Sequence, residues 1–131
     1  MKEMILAHRI ECPTCSIGPY NCTCEPWAAW STGEKWALRD RHSTDFFLST
    51  RPGMYVDFPR EHRDLMERYY SGFRNAGQML AWFNRDELVS FRDNGFKLAL
   101  YVTDQWYMGY SKSQLFFLRV DRWRMRDLPV E

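Results

Sequence analysis

The chain has 131 residues, of which 45% are apolar and 27% charged, a globular composition that excludes a disordered polypeptide. Its 18 Lys and Arg against 17 Asp and Glu exclude strong whole-molecule attraction to nucleic acid or membrane, and no apolar run approaches the roughly 20 residues that cross a bilayer. Length predicts a single domain over residues 1–131, and a 17% aromatic content supplies material for both a core and a binding face.

Met4 to Ile10 predicts a first strand, with Leu6, His8 and Ile10 on one face and Ile5, Ala7 and Arg9 on the other. The apolar stretch before His8 is too short for a signal-peptide core, which predicts a protein kept in the cytoplasm without a membrane partner. All the cysteines follow in one loop, Cys12, Cys15, Cys22 and Cys24, in the pattern C-x2-C-x6-C-x-C. Three readings are open. Four thiolates can close a tetrahedral zinc shell, with Pro13, Gly18, Pro19 and Asn21 supplying turns. A disulfide pair is the second reading, although a reducing cytoplasm opposes it, and four free thiols are the third. Four protein ligands would leave no open position, so zinc here would be structural.

Pro26 opens an expected short helix carrying Trp27 and Trp30, and Trp36 and Leu38 continue it after Gly33. Arg39 to Phe58 reads as an irregular surface loop, and Pro59 to Tyr70 as a short helix with Leu65 and Tyr69 on one side. Asn75 to Phe83 predicts a helix with Met79, Leu80, Trp82 and Phe83 on its apolar face. Asn84 caps another, with Leu88 and Phe91 as core positions and Asn94-Gly95 as its end. Phe96 to Val102 is then a strand, apolar at Phe96, Leu98, Leu100 and Val102. A polar, aromatic connection (Thr103 to Lys112) leads to a last strand from Gln114 to Val120. The class is α+β, a small mixed or antiparallel sheet with flanking helices.

The tail places Arg119, Arg122, Arg124 and Arg126 around Trp123. Arginines on a phosphate backbone with Trp stacked on a base would suit nucleic acid; the plain alternative is solvated charge balanced by Asp121 and Asp127. Trp27, Trp30 and Trp36 suit either a protein partner or a core. His42 and His62 read as surface residues.

Two stretches, HRIECPTCSIGPYN (His8 to Asn21) and GFRNAGQMLAWFNRDELVSFRDNGFKLALYV (Gly72 to Val102), resemble a group of small phage and prophage proteins, with RPGMYVDF (Arg51 to Phe58) a weaker match. That group in turn resembles the catalytic core of mono-ADP-ribosyltransferases, which implies an ADP-ribosyltransferase-like fold and NAD as the cofactor. By that resemblance Arg9, or His8 beside it, would hold a phosphate or ribose of NAD, and Tyr20 would stack on nicotinamide. Gln114 would stand at the late-strand position that is acidic in those enzymes. Gln114 can hydrogen-bond a ribose hydroxyl but can neither act as a general base nor supply negative charge. The implied role is host takeover or anti-defence, anti-CRISPR action included, on a host protein or nucleoprotein target. The alternatives are a non-catalytic zinc-stabilised inhibitor and a nucleic-acid-binding accessory protein.

Overall fold

The structure, a computed structural model, describes residues 2–19, 22, 24 and 54–130. The expected helix after Pro26, its tryptophans, most of the Arg39 to Phe58 loop with His42, and Tyr20 lie outside the described residues.

Strand β1 (Ile5–Glu11) pairs antiparallel with β3 (Lys97–Thr103), His8 opposite Leu100 and Arg9 opposite Ala99; β3 pairs with β6 (Arg124–Arg126). The second sheet has β5 (Leu115–Leu118) between β2 (Tyr69–Gly72) and β4 (Trp106–Met108), again antiparallel. The two sheets meet where His8 and Phe73 exchange both backbone hydrogen bonds, each at 2.8 Å. Across that bridge the strand order is β4-β5-β2-β1-β3-β6. Gly72 makes the approach possible. A Cβ there would lie 2.7 Å from the His8 carbonyl oxygen and 2.8 Å from the Phe117 ring.

The alternation read in β1 is present, and both of its faces are used. Ile10 joins a large core with Phe73, Met79, Trp82, Phe83, Leu88, Phe91, Phe96, Leu98 and Leu100. Ile5 and Ala7 pack on the other side with Ala99, Tyr101, Leu115 and Phe117. A smaller cluster of Phe58, Tyr69 and Phe116 lies beyond β5. Each buried Leu or Phe contributes roughly 1.5–3 kcal/mol of transfer free energy, so the first cluster dominates the hydrophobic stabilisation.

Helix α1 (Ala76–Trp82) starts where Asn75 accepts from the Gln78 amide, and α2 (Arg85–Asp93) starts at a reciprocal capping box between Asn84 and Glu87. Gly95, at φ +89°, turns the chain out of α2. Five expectations need correction. Met54–Asp57 forms one helical turn rather than loop. The Pro59 to Tyr70 segment is a 3-10 helix (Arg60–Arg68) that passes directly into β2. The connection after β3 contains β4, and the tail contains β6. Leu80 and Val102, expected in the core, are exposed, because α1 turns Met79 and Trp82 inward and β3 buries Leu98 through Tyr101 without a break.

Candidate functional site

The cysteine loop leaves β1 at Glu11 and folds on itself. The Cys12 carbonyl accepts from the Ser16 amide at 2.8 Å, the Cys12 amide donates to Ile17 at 2.9 Å, and the Cys22 amide donates to Gly18 at 3.0 Å. Ser16 takes a left-handed backbone (φ 61°) to close the first knuckle. These turns gather the four sulfurs of Cys12, Cys15, Cys22 and Cys24 within 4.8 Å of one another, with Cys15 and Cys22 at 3.6 Å. A tetrahedral shell with metal–sulfur bonds of about 2.3 Å has edges of about 3.8 Å, so small adjustments suffice to close it. The Cys24 amide also points at the Cys22 sulfur, 3.4 Å away, which suits a thiolate ligand. The C-x-C pair is therefore no obstacle. The four cysteines form a site that can hold a metal ion.

None of the four is in a disulfide; Cys12 and Cys22 are buried in the main core and Cys15 and Cys24 pack against it. Burial raises the Cys12 thiol, but the Cys15 and Thr14 amides and the neighbouring thiols bring it down to about 7. Burial pushes Cys22 up to about 12, and Cys24 is raised chiefly by its hydrogen bond with Cys15. One thiolate forms readily, and a second beside it is opposed by like charge, the situation a divalent cation relieves.

Next to this loop, a cleft opens where β1 and β2 diverge. Arg9 and Gln114 line it together with Gly18, Pro19, Ser71 and Phe83. Two candidates separated by most of the chain thus share one concavity. Its internal volume is small, about 40 Å³. His8 is not part of the lining; its Nδ1 lies 3.0 Å from the Leu6 carbonyl, and burial holds the imidazole below its ordinary pKa.

Arg9 is anchored within the fold. Its Nε lies 3.1 Å from the Glu11 carboxylate, close enough for an ion pair though not aligned as a hydrogen bond, and its guanidinium stacks 4.5 Å from the centre of the Tyr70 ring. Arg119 stacks on the same ring at 4.9 Å. Glu11 is fully buried and also accepts from the Tyr101 hydroxyl and, at 3.3 Å, from Arg122. Gln114 is likewise buried and donates from Nε2 to Asp57 at 3.0 Å. Glu11 and Asp57 are the polar residues that sequence reasoning missed, since, apart from Arg9 beside Glu11, the partners that bury them come from distant parts of the chain: Ser111 for Asp57, and Tyr101 and Arg122 for Glu11.

The arginine-rich tail divides between these surroundings. Arg119 and Arg122 turn to Tyr70 and Glu11, while Arg124 lies 4.4 Å from the ring centre of exposed Trp123. Asp127 pairs with Lys97 at 2.6 Å instead of with the tail arginines. No helix among the described residues is long and apolar enough to cross a membrane.

A family model described as Bacteriophage T4 Y00F protein matches residues 1–131. No curated protein and no solved structure matches the chain. The α+β class stands as two antiparallel three-stranded sheets, and the comparisons lend the transferase-like fold no support.

Proposed function

The chain belongs to the bacteriophage T4 Y00F protein family, which makes it a phage-type protein, and from that premise we propose that it binds NAD in the cleft beside its cysteine loop and transfers ADP-ribose to a host macromolecule. The reading places its action in the cytoplasm of the host cell. The observation that supports it most is the convergence of Arg9 and Gln114 on one cleft, which Gly18 and Pro19 of the cysteine loop also line.

Arg9 offers the positive end of the site, suited to a phosphate through charge-assisted bonds. Gln114 immediately precedes β5, and its carboxamide is of the kind that hydrogen-bonds a ribose hydroxyl. In the transfer, the bond between the nicotinamide nitrogen and ribose C1′ breaks and nicotinamide leaves with its electron pair. A nucleophile of the target forms the new bond to C1′ and releases its proton to solvent. A hydrogen-bonded ribose hydroxyl stabilises the positive charge that develops on the sugar. The Cys12, Cys15, Cys22 and Cys24 shell would hold zinc as a structural staple that fixes the cleft wall at Gly18 and Pro19.

A second reading is favoured by the narrowness of the cleft and by the engagement of Arg9 with Glu11 and of Gln114 with Asp57. On it the protein is a zinc-stabilised binder that inhibits a host or defence enzyme by contact, or contacts nucleic acid through the tail arginines and Trp123. Calorimetry with NAD, on metal-quantified protein with an Arg9→Ala control, separates the two. Saturable binding lost in the variant favours the transferase. No heat at millimolar NAD, with zinc near one per chain, favours the binder.

A further inference from the structure

Strand β4 is the outer strand of its sheet, and pairing with β5 satisfies one row of its backbone groups. The Gln105 carbonyl accepts from Leu118 and the Gly109 amide donates to Gln114, so by the alternation of an antiparallel ladder the Trp106 carbonyl points outward. The Lys2 ammonium meets it there. It donates to the Trp106 carbonyl and lies 4.7 Å from the centre of the Trp106 ring and 4.2 Å from that of Tyr107. Two further contacts bring the backbone before β1 to this place. Trp106 Nε1 donates to the Glu3 carbonyl at 3.0 Å, and the Glu3 carboxylate pairs with Arg74 at 3.3 Å.

A pocket of about 240 Å³ stays open beside the ammonium, lined by Lys2, Tyr69, Asp104, Gln105, Trp106 and Tyr107. Tyr107 is backed by His62, stacked at 4.5 Å, and by Tyr69 and Phe58, so the fold and not Lys2 sets the place of this ring. Lys2 itself is an exposed residue, and partial desolvation against the rings lowers its pKa. We propose that this pocket is a binding site for a primary alkylammonium group, with Lys2 as an internal ligand that an external ammonium displaces. Three features select that chemistry. The ring faces attract a cation and reject an anion, and the Asp104 carboxylate on the wall adds to the attraction. The Trp106 carbonyl requires an N–H, which a quaternary ammonium lacks. A lysine side chain of a partner protein and a free polyamine both carry the group. The pocket shares no lining residue with the Arg9 cleft, so the proposal is independent of the nucleotide reading.

The test follows the Trp106 indole N–H by NMR, assigned by its loss in Trp106→Phe, while ligands are titrated into the parent and into Lys2→Ala. The probes are Nα-acetyl-lysine methylamide and spermidine, with the norleucine and Nε-trimethyl analogues of the first as controls. Lys2→Ala is expected to show a saturable shift, and the parent to bind at least about fivefold more weakly, because its own ammonium must leave first. Lys2→Met, which keeps the stem and removes the charge, is expected to bind as well and guards against a folding defect in Lys2→Ala. The neutral analogue is expected to give no shift, and the trimethyl analogue to bind about fivefold or more weakly for want of the N–H bond. Tighter binding of the capped lysine identifies a peptide lysine as the ligand, and tighter binding of spermidine a polyamine. Absence of a saturable shift in folded Lys2→Ala or Lys2→Met overturns the proposal. So does a parent that binds as tightly as the variants, or a norleucine or trimethyl analogue that binds as well as the ammonium. Lys2 is then a tie that covers the edge of β4.

Discussion

The Glu11 carboxylate is shared by Arg9, two residues back along the same strand, and by Arg122 from the far end of the chain. Residues i and i+2 of a strand share a face, so β1 builds half of this buried ion cluster by itself. The other half arrives with Tyr101, which stands opposite Ala7 in the β1–β3 register, shares a face of β3 with Ala99, the partner of Arg9, and donates its hydroxyl to Glu11. Glu11→Gln leaves the Arg9 guanidinium buried without its counter-charge, and is expected to cost about 3–5 kcal/mol in urea unfolding. Replacing Arg9 and Glu11 together by Met and Gln should cost less than the two single changes summed, as coupled partners do.

The close seam between the two sheets gives a second expectation. Gly72→Ala drives a methyl into the His8 carbonyl and the Phe117 ring. Overpacking of this kind costs roughly 1–3 kcal/mol, more where the obstacle is backbone. The melting temperature of Gly72→Ala should fall by at least about 4 °C, read by circular dichroism.

The cysteine shell predicts one bound zinc per chain in protein purified without chelator. Stripping the metal should lower the melting temperature, and cobalt(II) should restore it with a thiolate-to-metal absorption band. Cys22→Ser, at the most buried ligand, should lose the metal and the absorption together. An intact protein that binds neither zinc nor cobalt leaves the four residues as core thiols.

His8 gives a pH dependence whose sign follows from its surroundings. Burial lowers its pKa in the folded protein, the bond to the Leu6 carbonyl opposes that shift and Arg126 adds to it. The unfolded chain therefore binds the proton more tightly. The contribution of His8 to stability is full above its ordinary pKa near 6.5 and falls away as pH drops through the lower folded value. Unfolding free energy should rise between pH 5 and 7, and His8→Gln should flatten that rise.

The parts of this fold legible in the sequence are those whose determinants are local. Asn75, Asn84, Glu87 and Gly95 each act within one turn of the element they begin or end, so both helices are readable from the chain. The apolar run at β5 and the alternation in β1 are readable for the same reason. Strands β2, β4 and β6 have three or four residues each, too few to display a period. They are strands because Leu115–Leu118 and Leu98–Leu100 offer them hydrogen bonds. The site divides in the same way. The cysteines announce themselves by spacing, whereas nothing near Asp57 or Glu11 in the sequence marks a carboxylate that will be buried. Arg9 and Gln114 were singled out by resemblance, and their common cleft comes from tertiary pairing that no local pattern encodes.

The pairing of β1 with β3 has a consequence for how the protein is made. Tyr101 lies 90 positions after Glu11, so the first strand leaves the ribosome long before its partner exists. At about 5–20 residues per second that interval is roughly 5–20 s, during which a strand with two apolar faces is unpaired in a crowded cell. The cysteine loop directly behind it needs no distant partner to close, since its sulfurs converge within thirteen residues, Cys12 to Cys24. A nascent chain that captures zinc at this stage would carry its earliest folded element beside its most aggregation-prone one, and infected cells short of zinc would accumulate the protein as insoluble material before any loss of activity could be seen.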